Sequence, residues 1–261
     1  MSAVVADLPF VRAEAAPSSP IAARTLCPEK LHPDLWLGHQ LGRQVNVATS
    51  SGYSALDAEL PGHGWPSRGL TEILLSQPGV GELRLLAPAL AAAQPAHVVM
   101  LFDPPLHLNA RAVSELGIDV DHLLVVSTRS QRTTRDRHSL WALEQALKSG
   151  HVGAILAWLP PRVNAEKVRR LQLAAHNHEG VAFMVRDASA HDSPSAAPLR
   201  LELVAGGADK IRIRILKRRG PPLLQPIILE LPSILSAAAR RRSIRGSSTL
   251  AEERVSASFA Q

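Results

Sequence analysis

Residues 69–86 read GLTEILLSQPGVGELRLL. The run 70–75 is apolar and β-prone, residues 76–81 form a Pro/Gly loop, and the apolar run that follows has helical spacing. A strand that empties through glycines into a helix N-terminus is the frame that cradles phosphate, because loop N–H groups and the helix dipole both face an anion. The functional form of that loop is G-x-x-x-x-G-K-[ST]. Here the window from Ser76 to Leu83 reads S-Q-P-G-V-G-E-L. Gly79 and Gly81 keep the turn, but Ser76 stands in place of the first glycine. Glu82 occupies the position of the lysine that meets the β/γ-phosphates, and Leu83 that of the Mg²⁺-binding hydroxyl. A carboxylate repels a triphosphate, and a leucine cannot ligate a metal. The frame survives as a degenerate nucleotide-binding loop.

Outward from this stretch the chain alternates between strand and helix patterns. Residues 97–103 (HVVMLFD) form an apolar run closed by an acid, as a buried parallel strand does. Helix is predicted over 108–116, stopped by Gly117, and strand over 123–127. Helix follows at 139–148, strand at 151–158, helix at 164–176 and strand at 181–185. This order predicts an α/β domain with a largely parallel sheet. Past the small-residue loop 187–198 the period becomes two, in 199–204, 210–216 (KIRIRIL) and 226–231. Three strands without intervening helices predict an antiparallel extension.

The ends differ in character. Residues 1–30 are rich in Ala, Pro and Ser without period and read as a disordered leader. Residues 31–48 hold a short N-terminal helix (31–43) and a linker, residues 31–232 the α/β domain, and residues 233–261 a basic, flexible tail carrying Arg240, Arg241, Arg242 and Arg245. Of the four tryptophans, Trp65, Trp141 and Trp158 read as core, and Trp36 as the one placed to touch a partner.

Composition sets outer bounds. With 261 residues, 46% hydrophobic, the chain can bury one sizeable core. No run approaches the roughly 20 apolar residues of a membrane span, and the N-terminus lacks the basic start and apolar block of a secretory signal. A single cysteine, Cys27, excludes a disulfide framework and a Cys-rich zinc site. The expected location is cytoplasmic, with no membrane contact. The net charge of +6 suits acidic partners such as nucleic acid, although a high-GC genome's arginine usage explains it equally well. Aromatics at 3% argue against a base-stacking platform. The paired His176 and His178 lack a third ligand, and no nucleophile elbow appears, so neither metal, cofactor nor catalytic residue is expected.

Several longer stretches together resemble the core of the RecA recombinases, and more closely the RecA-like accessory family ImuA of mutagenic translesion DNA synthesis. Residues 50–73 (SSGYSALDAELPGHGWPSRGLTEI) are similar to the RecA lead-in to its phosphate loop. Residues 100–126 (MLFDPPLHLNARAVSELGIDVDHLLVV) resemble the segment that bears the catalytic glutamate. Residues 136–158 (DRHSLWALEQALKSGHVGAILAW) resemble the Walker B unit, and residues 210–231 (KIRIRILKRRGPPLLQPIILEL) the late strands with their basic turn. LHPDLW, GHGWP and FDPP carry the likeness to ImuA. The resemblance implies a RecA-like P-loop NTPase core whose nucleotide chemistry is gone. The catalytic glutamate position falls at Pro105 and the Walker B aspartate position at about Trp158. Loss of these together with the lysine and hydroxyl positions is hard to reconcile with ATP hydrolysis. The segments matching the two RecA DNA-binding loops, about 159–163 and 187–198, are too short to grip a strand.

What the resemblance implies is a non-enzymatic scaffold of the SOS response. Its partner would be an inactive Y-family-like polymerase of the ImuB type, with an error-prone replicative-type polymerase engaged indirectly. RecA and weak, non-specific DNA contact are further candidates. Lys217, Arg218 and Arg219 form the one RecA feature kept with its charge, and read equally as a phosphate or partner contact and as a solvated hairpin tip. Arg129, Arg132, Arg135 and Arg137 carry the same two readings. The alternative is a division inhibitor similar to SulA, also RecA-related and without an ATP site, acting on FtsZ. An active recombinase conflicts with Glu82, Leu83, Pro105 and Trp158.

Overall fold

A strand whose two faces are both covered must be apolar throughout, and LTEILL meets that demand with two exceptions, Thr71 and Glu72. In the computed structural model, which describes residues 48–128, 135–160, 163–207 and 209–233, this run is strand β3 (Leu70–Leu75), buried along its whole length. It follows two short strands, β1 (Ala48–Thr49) and β2 (Trp65–Pro66), that pair with each other. The leader, the 31–43 helix with Trp36, Arg129, Arg132 and the tail beyond Ser233 lie outside the described residues.

Eight strands make the main sheet: β3, β4 (Val98–Phe102), β5 (Leu123–Val126), β6 (Val152–Trp158), β7 (Val181–Asp187), β8 (Leu199–Ala205), β9 (Lys210–Lys217) and β10 (Ile227–Glu230). Their spatial order is β10-β9-β8-β3-β7-β6-β4-β5. From β8 through β5 every neighbouring pair is parallel, and β9 runs antiparallel to both β8 and β10. This is an α/β fold with a large, mostly parallel mixed sheet, of Rossmann or RecA-like type. The expected three-strand antiparallel extension is corrected in one respect, because β8 joins in parallel beside β3. Its alternation of Leu with Arg and Glu imitates a half-exposed strand, yet Arg200 is buried. Strand β9 alternates between exposed and buried positions along residues 210–215.

Helices cover both faces. On one side α1 (Ser54–Asp57) and α2 (Glu82–Ala93) pack a core that includes Leu56, Leu85, Leu86 and Leu90, which also takes Val113 from α3 (Ala110–Glu115). On the other, α4 (Arg135–Lys148) and α5 (Ala165–Ala175) bury Leu140, Leu143, Leu147, Val168 and Leu171 against the sheet. Successive strand residues alternate between these cores: Ala154 and Leu156 face the first, Ile155 and Ala157 the second. Helix α2 contains Pro88, which has no N–H to give the carbonyl of Arg84 one turn earlier. The Tyr53 hydroxyl donates to that carbonyl instead, at 3.3 Å. A Cβ on Gly52 would lie 2.6 Å from Pro88 Cβ, so the chain there must be glycine for Tyr53 to reach its place. Burial pushes the Tyr53 phenol up from its ordinary pKa.

Candidate functional site

The glycine loop joins β3 to α2 at the carboxyl end of the parallel strands, where open α/β sheets place their ligands. Gly79 and Gly81 have φ of 86° and 114°, values that favour glycine. Their N–H groups converge on an anion, and that anion is the chain's own. The Glu82 carboxylate accepts from Gly79 N–H at 3.0 Å (Oε1) and 3.2 Å (Oε2), and from Gly81 N–H at 3.2 Å. Glu82 is 5% exposed and is the first residue of α2, so its negative charge also meets the positive end of the helix dipole.

The surroundings close on this loop. A Cβ placed on Gly79 would lie 3.9 Å from Leu106 Cδ1, and one on Gly81 only 2.7 Å from Leu231 Cδ1. Leu106 follows Pro105 in the turn after β4, and Leu231 follows β10. Arg84 fastens the second of these walls: its guanidinium donates to Asp209 Oδ1 at 2.9 Å and to the Leu231 carbonyl at 3.2 Å. Leu83 and Val80 pack against the α2-side core, as does the partly buried Trp158 at the end of β6. The Trp158 indole N–H is buried without a hydrogen-bond partner among the described residues. Ser76, Gly79 and Gly81 therefore lie in one loop, Glu82 and Leu83 open the helix directly after it, and the Pro105 turn is beside it.

Two buried polar groups escaped sequence reasoning. Asp103, just past β4, adopts φ of 48°. Its carboxylate accepts from Thr128 N–H at 2.6 Å, Thr128 Oγ1 at 2.7 Å and Ser139 Oγ at 3.0 Å, tying the end of β5 and α4 to β4. The second is Glu72, which is fully buried within β3. Arg186 Nη1 donates to its Oε1 at 2.8 Å, and Arg200 Nε to its Oε2 at 2.7 Å. The same guanidiniums reach the carbonyls of Val163 (2.9 Å) and Ala190 (3.0 Å). The segments after β6 and β7 are thereby fastened to the sheet from beneath. The available signal was a charged residue inside each of three strongly β-prone runs, LTEILL, VAFMVRD and LRLELVA.

The basic turn lies elsewhere. Register pairs Lys217 with Arg200 near the start of β8, which is the amino end of the parallel strands. The topology thus separates Lys217–Arg219 from the glycine loop by the length of the sheet. Arg218 is turned inward, donating to Glu59 Oε2 at 2.8 Å, to the Glu59 carbonyl and to the Pro221 carbonyl at 2.7 Å. Lys217 reaches the Ser195 carbonyl at 3.0 Å. Arg219 is exposed and has no ion pair among the described residues. Trp65 is core as expected, edge-on to Phe183 with ring centroids 5.2 Å apart. Trp141 is not: it is 60% exposed.

No protein-family profile matches the chain. It is similar to the cell division inhibitor SulA of Photorhabdus laumondii subsp. laumondii, at 28% identity over 122 residues. The match covers 46% of this chain and 66% of that protein. No helix among the described residues is long and apolar enough to cross a membrane.

Proposed function

We propose that this chain is a RecA-related protein that works in the SOS response by binding other proteins rather than by turning over nucleotide. The observation that carries the reading is the Glu82 carboxylate held on the Gly79 and Gly81 N–H groups. A triphosphate would have to displace a buried acid, then meet Leu83 in place of a metal-binding hydroxyl and Pro105 in place of a base. In this reading the loop is a retained nucleotide frame turned into a self-filled structural joint.

The partner follows from the stretches that resemble ImuA. The chain holds an inactive, ImuB-type polymerase subunit at damaged DNA, which in turn engages the error-prone replicative-type polymerase. A second reading is favoured by the likeness to SulA: inhibition of division through FtsZ. An affinity pull-down of the tagged full chain from DNA-damaged cells, with partners identified by mass spectrometry, separates the two. Recovery of a Y-family-like polymerase subunit supports the scaffold. Recovery of FtsZ without any polymerase makes the chain a division inhibitor. Mg²⁺-dependent binding of ATP to the purified chain would sink the non-catalytic premise of both.

A further inference from the structure

Helices α4 and α5 lie side by side on the face of the sheet away from α2, and a groove of about 210 Å³ runs between them. Its floor is apolar, with Leu140 and Leu171 at 8% and 2% exposure. Its wall is Trp141, the most exposed of the described tryptophans. An indole presents a large rigid apolar surface, and leaving it in water forfeits more burial than any other side chain could contribute.

The rim is cationic. Glu144 is the one acid lining the groove among the described residues, and both of its oxygens are taken, by Lys148 Nζ at 2.6 Å and Arg170 Nη2 at 2.7 Å. The bond from Lys148 leads in holding its carboxyl below the usual carboxylate range. Lys167, which also lines the groove, has no ion pair among the described residues, and Arg169 is exposed on the same helix. The charge left over is positive and faces a hydrophobic slot.

We propose that the α4–α5 groove is a docking site for an acidic protein segment that inserts a bulky apolar side chain beside Trp141 and sets its carboxylates against Lys167 and Arg170. Charge complementarity selects this occupant. A second copy meeting groove to groove would bring like charges together. A single-stranded nucleic acid needs successive stacking aromatics along an unbroken basic track, whereas one tryptophan stands here and Glu144 and Glu166 interrupt the basic residues. An aromatic anchor in a pocket with a charged rim is instead the usual composition of a protein–protein hot spot. The inference is independent of the glycine loop and would hold for either partner proposed above.

The test uses the full chain as bait for a phage-displayed library of random peptides about 16 residues long, with Trp141→Ser and Lys167→Glu as counter-variants. Both positions are at the surface, and circular dichroism with thermal melting verifies that the variants fold. The expected result is enrichment of peptides that combine Asp or Glu with Leu, Phe or Trp. Binding of those peptides should weaken about tenfold or more in each variant, and also when their acids are replaced by amides. Absence of enrichment, selection without acidic bias, or equal binding by wild type and both variants overturns the proposal. Loss of oligothymidylate binding in the same two variants, with peptides unaffected, reassigns the groove to nucleic acid.

Discussion

Glu72 and Glu82 stand on either side of the same turn, one in the strand and one opening the helix, and both are buried acids. They are held by opposite means. Glu72 lies between two buried guanidiniums, one from each neighbouring strand, so its carboxylate joins three strands at once. Glu82 is held by backbone N–H groups and a helix dipole, partners that carry only partial charge and that water could replace in an exposed loop. The contrast separates two meanings of a buried carboxylate. The first is a keystone of the sheet. The second fills a pocket whose geometry was shaped for an anion.

The sharpest challenge to that distinction is Glu72→Gln. Removing one partner of a buried charge network leaves both guanidiniums uncompensated, and we expect a loss of about 3–5 kcal/mol by urea denaturation. A loss no larger than that of a surface variant would mean that the triad is wet and the contrast false. Glu82→Ala should cost less, about 1–2 kcal/mol, because the freed N–H groups lie where solvent can reach them. The double variant Glu82→Lys/Leu83→Thr restores the lysine and hydroxyl of the motif but leaves Ser76 at its first glycine, and it should still release no phosphate from ATP in a malachite-green assay, since Pro105 and Trp158 remain. Arg218→Ala should cost a similar 1–2 kcal/mol through its lost bonds to Glu59 and Pro221. Arg219→Ala should leave the melting temperature unchanged, which marks the one residue of the turn free for a partner.

The smallest effect concerns a third way of burying a titratable group, with no counter-charge at all. His178 is 3% exposed, its Nε2 has no hydrogen-bond partner among the described residues, and burial lowers its pKa, helped by the neighbouring His97 and opposed by a backbone hydrogen bond with Val181. The folded state thus favours the neutral ring, and the unfolded chain binds more protons below the ordinary pKa of about 6.5. The stabilisation is complete above that pH and is lost as the pH falls through it. In melting curves from about pH 7.5 to 5.5, wild type should lose more stability than His178→Asn; parallel curves would show that the ring is already solvated.

Much of the fold was legible because its elements are local. The run LTEILL, the Ser-Gln-Pro-Gly-Val-Gly loop and the apolar helix after it each announce themselves through spacing and turn residues, and their order implies a parallel sheet. Misreadings came where a side chain's partner is distant in sequence. The Leu–Arg–Leu–Glu–Leu pattern of β8 looks half-exposed until Arg200 finds Glu72 on a neighbouring strand. Trp141 was read as core because indoles usually are, and only the packing of α4 against α5 leaves it outside.

By itself, then, the order of residues determined which elements form, since propensity and periodicity act locally, and it put Glu82 and Leu83 where a phosphate-binding loop carries Lys and Ser or Thr. Only the tertiary structure decided where charge goes. It placed the Glu82 carboxylate on the loop N–H groups, joined Glu72 to Arg186 and Arg200 across three strands, turned Arg218 inward and left Lys167 beside an open tryptophan. Electrostatic pairing depends on distance through space, and a linear sequence specifies that distance only after the sheet has brought remote strands side by side.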